Sequence, residues 1–138
     1  MKYFAESEFN GWFTNMSADQ LEALEKFREL WGSPVSVSPA DGAVGRNGGS
    51  SKSLHNIDRY GEVRATDVFP KGLTEDNLQH AYDCAKKAGF RGIGVYTEAR
   101  PSIMLHLDTR GGDLAKWSAW RQKNKGWRYA GIEEAGIK

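Results

Sequence analysis

Residues 92–108 read Gly-Ile-Gly-Val-Tyr-Thr-Glu-Ala-Arg-Pro-Ser-Ile-Met-Leu-His-Leu-Asp. Strand-forming residues run from Gly92 to Tyr96 and again from Ser102 to Asp108, with a Thr-Glu-Ala-Arg-Pro turn between them. Two short strands joined by a hairpin-length turn predict a sheet that is antiparallel here. On a strand, residues two apart share a face, so Met104, His106 and Asp108 point one way.

Upstream, Val63 to Phe69 reads as another strand, ended by Pro70 and Gly72. Val35-Ser36-Val37 predicts a short one. Two helices accompany them. The first opens at Ser17, with Gln20 at capping-box spacing; Leu21, Leu24, Phe27, Leu30 and Trp31 recur at helical period until Gly32 and Pro34 stop it. The second starts at Thr74 as N-cap, carries Leu78, Ala81, Tyr82 and Ala85 on one face, and closes at Gly89. Downstream, Gly111-Gly112 leads into an amphipathic stretch with Trp117 and Trp120, expected to be a short helix, and then a last strand around Trp127 to Ala130. This mixed order predicts an α+β fold with a small, largely antiparallel sheet flanked by helices.

The 138 residues make one domain, long enough for a core without staples. Nineteen basic against eighteen acidic side chains leave a net charge of +1, which argues against a nucleic-acid binder working through a broad basic field. One cysteine, Cys84, excludes an internal disulfide framework and a multi-cysteine zinc site. It reads as a small buried residue, and His80 as a surface or capping one. No apolar run approaches the roughly 20 residues that span a bilayer. The start, MKYFAESEFNGWF, has early acids and no continuous apolar core, so synthesis in the cytoplasm without a signal peptide is expected.

Three residues invite a common reading. His55 follows a Gly/Ser-rich loop (39–53), Asp67 stands inside a strand, and His106 stands inside another. A loop of that length is usually functional or disordered. Catalytic zinc commonly takes three His or Asp/Glu ligands and keeps a position for water. An aspartate between Thr66 and Val68 is expensive to bury unpaired, and a cation removes that expense. Spacing alone leaves the alternative open: His55 capping a loop, Asp67 accepting from a backbone amide, His106 a satisfied core histidine.

The chain resembles the zinc D-Ala-D-Ala carboxypeptidase family, the peptidoglycan peptidases that include phage endolysins and share a fold with the hedgehog signalling domain. Ser53, His55, Gly61, Ala65 and Asp67 stand in the order of the family's Ser-x-His-x-x-Gly-x-Ala-x-Asp motif. Gly92-Ile93-Gly94-Val95-Tyr96, then Met104 to Arg110 with its His-x-Asp, then Trp117, match the second. The likeness covers roughly residues 34–120. It implies His55, Asp67 and His106 as ligands of Zn2+ and a peptidoglycan peptide as substrate. With the small size and the missing export signal, the expectation is a phage or prophage protein that acts at the bacterial cell wall after holin-type release or as a virion component.

Two features depart from the family pattern. The segment from His55 to Asp67 is longer, and the position where many relatives carry a catalytic acid, three residues before the last histidine, is Ile103. Amide hydrolysis needs a proton carrier. Asp108, on the His106 face, is the first candidate, with orienting a ligand or pairing with Arg110 as its other reading. Glu98, on the turn, is the second, its other reading a solvated turn residue. Arg46, the one arginine in the 39–53 loop, is the candidate clamp for a substrate carboxylate, or else a surface arginine. Trp117, Trp120 and Trp127 either line a glycan groove or, as their neighbourhood to a helix suggests, fill core. A non-catalytic metal-stabilised wall-binding or virion module, and a metal-free interaction domain, are the rival functions.

Overall fold

Ser17 starts the first helix as expected: in the computed structural model, which describes residues 1–122 and 126–138, its side chain accepts from the Gln20 amide. Helix α1 (Ala18–Trp31) ends at Gly32, whose φ of 82° suits a residue without a Cβ. Thr74 caps a 3-10 turn (Glu75–Asn77) that runs directly into the helix Leu78–Ala88, closed by Gly89. A single helical turn, Ile57–Tyr60, lies between these two, so it is α2 and Leu78–Ala88 is α3. His80 stacks on Trp31 at 5.6 Å, and Cys84 is buried behind it.

The strands are β1 (Val35–Val37), β2 (Ala65–Pro70), β3 (Gly92–Tyr96), β4 (Met104–Asp108), β5 (Ala115–Gln122) and β6 (Gly126–Ala130). They form one sheet in the order β1-β2-β4-β3-β5-β6. Every pairing is antiparallel except β3 with β5. The fold is α+β. No helix among the described residues is long and apolar enough to cross a membrane.

The stretch carrying Trp117 and Trp120 is strand β5, not the expected short helix. Its Trp-x-x-Trp spacing fits a helix, but β3 leaves an edge unpaired after the β3–β4 hairpin, and backbone groups there need partners. The chain crosses the end of β3 at Arg91, which donates to the Asp108 carbonyl and accepts from Ala115, and β5 then pairs alongside.

One sheet face is apolar: Val68, Leu105, Leu107, Ile93 and Val95 are buried against Leu24 and Phe27 of α1 and Ala81 and Ala85 of α3. The register places Asp67 opposite His106 and His106 opposite Gly94, which in turn faces Trp117. Directly paired residues share a face, so the second face carries Asp67, His106, Tyr96 and Trp117 together. Gly92 and Gly94 belong to it for a steric reason. A Cβ on Gly94 would stand 2.5 Å from the Trp117 indole, and one on Gly92 would overlap the Asp108 carboxylate.

Candidate metal centre

The longer segment between His55 and Asp67 is accommodated by α2. Asn56 caps it by accepting from the Asp58 amide, and Gly61, at φ 72°, ends it in the left-handed region. The chain therefore coils for one turn and returns to β2 with both side chains on the same side. Asn56 also organises the Gly/Ser-rich loop, accepting from Gly48 N at 2.9 Å and donating to the carbonyls of Gly49 and Ser51 at 3.1 and 2.8 Å. Asp58 accepts from Gly49 N and Asn47 Nδ2 at 3.0 and 3.1 Å; the bond from Gly49 leads the effects that lower its pKa. The loop is ordered, and it serves the site.

Three donor atoms converge. His55 Nε2 lies 3.2 Å from His106 Nδ1 and 3.3 Å from Asp67 Oδ1, and His106 Nδ1 lies 3.2 Å from Asp67 Oδ1. The other nitrogen of each ring fixes what these atoms can do. His55 Nδ1 sits 2.7 Å from the Val44 carbonyl, an acceptor only, so Nδ1 carries the proton and Nε2 a lone pair. His106 Nε2 sits 2.7 Å from Asp108 Oδ2 and donates to it, which leaves Nδ1 as the second lone pair. Two neutral imidazoles and a carboxylate thus aim three acceptors at one point. That arrangement is repulsive unless a cation or an extra proton fills it.

Zinc in tetrahedral sites holds ligands at about 2.0–2.1 Å, which sets neighbouring donors about 3.3 Å apart. The spacings of His55, Asp67 and His106 fit that figure, and imidazole with carboxylate is a zinc donor set. When no metal neutralises the cluster, a proton does. Burial opposes charge on His106, but hydrogen bonds to Asp108 and Asp67 outweigh it and raise its pKa to about 9. Burial likewise works against the Asp67 anion, yet bonds from His106 and His55 bring it down to about 2.

Asp108 is fully buried. Its oxygens are taken by His106, by Arg110 Nε and Nη2 at 2.8 and 2.7 Å, and by the Arg110 amide at 3.2 Å. Burial opposes its charge, and Arg110 and His106 hold the carboxyl well below the usual carboxylate range. It faces the opposite edge of the His106 ring from Asp67. Arg110 lies over Trp117, 5.5 Å from the ring centroid.

The cluster lines a cleft of about 510 Å³ with Arg46, Lys52, Tyr96, Met104, Trp117 and Trp127 among its walls. Arg46 is exposed at the mouth, donating to the Gly42 carbonyl at 3.2 Å. Glu98 is not part of this cleft; its Oε2 accepts from the Arg121 amide at 2.9 Å, and it borders a separate hollow with Arg100 and Pro101. Ile103 is buried in the core. Trp117 and Trp127, expected to favour the core, stand half-buried in the cleft wall, while Trp120 lies elsewhere beside Glu134. Trp117 packs 5.1 Å from the His106 ring. Sequence reasoning placed Tyr96 only within a motif, with no site role, and left Trp117 between groove and core; the Gly-x-Gly of β3 was the available signal, because glycines in a strand mark close approach by another group.

A family model described as Peptidase M15 matches residues 4–108. No curated protein and no solved structure matches the chain. The matched segment contains all three donor residues and ends before β5 and β6.

Proposed function

The chain belongs to the peptidase M15 family, and from that premise we propose that it is a zinc-dependent peptidase hydrolysing an amide bond in peptidoglycan stem or cross-link peptides, of the D-Ala-D-Ala carboxypeptidase or endopeptidase type. The observation that carries this reading is the triangle of donor atoms from His55, Asp67 and His106, with edges of 3.2–3.3 Å, set in an open cleft. When bound there, zinc supplies a water of lowered pKa and a Lewis acid for the scissile carbonyl.

The residues around it divide the remaining work. Asp108 holds the His106 ring in the tautomer that presents Nδ1 and adds negative charge behind it. The Val44 carbonyl does the same for His55. Arg46 and Lys52, exposed at the mouth, offer positive charge to a stem-peptide carboxylate. On this reading the protein is phage or prophage derived and works at the bacterial cell wall, reached after holin-type release or as part of a virion.

One observation favours a second reading, a metal-stabilised wall-binding or virion module without activity. Among the described residues, Asp67 is the only carboxylate lining the cleft, so no free acid stands ready as a proton carrier. A single experiment separates the two. Purified chain is analysed for metal and incubated with peptidoglycan and with a stem pentapeptide, products being read by mass spectrometry. The peptidase reading expects about one zinc per chain, and cleavage that is lost with chelator, restored by zinc and absent in His106→Ala. Zinc without product selects the binding module; protein that takes up no zinc overturns both.

A further inference from the structure

Amide hydrolysis puts negative charge on the carbonyl oxygen as its carbon becomes tetrahedral, and a fixed donor aimed at that charge is among the largest single contributions an enzyme makes. The donors that surround the metal cluster are few. Arg110 is committed to Asp108, which also accepts from His106, and Arg46 and Lys52 stand exposed at the mouth on long side chains. Of the neutral donors in the cleft wall, Trp117 Nε1 is spent on the Tyr96 oxygen and Trp127 and Tyr129 stand on the outer strand β6, whereas Tyr96 stands on β3, paired directly to the His106 strand. We propose that Tyr96 is a catalytic residue: its phenol O–H donates to the scissile carbonyl oxygen of the bound peptide. This rests on the peptidase reading above and names a further participant in the same reaction.

Position comes first. Tyr96 pairs with Met104 and Gly94 with His106, so Tyr96 projects from the same sheet face as His106, one step further along β3. Gly94 contributes no side chain, and the Trp117 indole lies across the face at that point.

The second support is orientation. Trp117 Nε1–H donates to the Tyr96 oxygen at 3.3 Å, so that lone pair is occupied while the phenol's proton is not used by Trp117. Trp127 and Tyr129 meet the ring edge-on at 5.2 and 6.2 Å, which restricts its rotation. The Tyr129 phenol is also a hydrogen-bonding neighbour; it is 62 % exposed on β6 and can yield to a more negative acceptor.

The third is protonation. A phenol of ordinary pKa, about 10, is protonated at neutral pH, and burial raises that of Tyr96 further against the opposing bond from Trp117, so it enters the reaction as a donor.

The test compares wild type and Tyr96→Phe, both zinc-loaded, on the stem pentapeptide L-Ala-D-Glu-L-Lys-D-Ala-D-Ala. The expected result is a fall in kcat of about 100-fold, with KM, zinc content and thermal midpoint unchanged. A phosphinate analogue of the tetrahedral state should lose affinity by the same factor, and the cleaved product should not. Trp117→Phe, which frees the phenol from its indole partner, should lower kcat by a smaller factor. A Tyr96→Phe enzyme with wild-type kcat overturns the assignment while leaving the peptidase reading intact, as does lost activity matched by lost zinc. Wild-type protein that binds zinc and cleaves nothing removes the peptidase reading itself.

Discussion

His106 makes two contacts of opposite consequence. Toward Asp108 it donates from Nε2–H; toward Asp67 and His55 it presents Nδ1, a lone pair for a bound metal and a protonated nitrogen when none is bound. Replacing Asp108 by Asn keeps the shape but removes the negative charge that polarises the ring. Zinc affinity of Asp108→Asn should therefore fall about 10–100-fold, read by competition with a chromophoric chelator; unchanged affinity would remove Asp108 from the site. The same ring predicts the pH response. In metal-free protein the raised pKa of His106 gives stability that is fully present below about 6.5 and lost as pH rises through about 9. Asp67, depressed to about 2 from 3.8, contributes stability above 3.8 that is lost as pH falls through about 2. Zinc must displace the His106 proton, so its apparent affinity should rise about tenfold per pH unit between roughly 6.5 and 8.5. A flat profile over that range would show that no such proton is displaced.

At the scale of elements, two local devices set the geometry that the single residues use. The first is the pair of glycines in β3. Gly94→Ala forces a Cβ into the indole that packs on His106, so the ring or the strand must shift. The variant should unfold with about 1–3 kcal/mol less stability and bind zinc more weakly, measured by denaturant titration and metal analysis; wild-type values for both would sink the steric account. The second device is α2 with its cap. Asn56 is fully buried and ties the 47–51 segment to the helical turn through bonds to Gly48, Gly49 and Ser51. Asn56→Ala should cost about 1–2 kcal/mol for the cap alone, and should increase hydrogen exchange in residues 46–58. Uniform protection there would contradict this account of the loop.

Over the whole molecule, one buried side chain joins the helical layer to the ligand strands. Gln20 of α1 is wholly buried, donates to Thr66 Oγ1 and the Leu107 carbonyl at 3.1 and 2.9 Å, and accepts from Thr109 Oγ1 at 3.1 Å. Thr66 adjoins Asp67, and Leu107 lies between His106 and Asp108, so this network braces β2 and β4 from behind. Gln20→Ala strands those groups and opens a void, with an expected loss of about 2–4 kcal/mol. Thermal unfolding with and without zinc checks it: a metal-bound midpoint equal to wild type would mean the brace does not reach the site.

The sequence by itself determined both helices with their caps, the β3–β4 pair, and the identity of the three residues that converge on one point. Those features rest on local signals: helical period, Ser, Thr and Gly at the ends, and a motif order held by His55, Asp67 and His106. Only the tertiary structure decided that residues 115–122 become a strand, because the pull came from an unpaired edge of β3 distant in sequence. It also decided that Trp117 and Tyr96 belong to the cleft and that Glu98 stands outside it. Side-chain direction across a sheet is set by the register of strands far apart in the chain, and no window of local sequence contains that register.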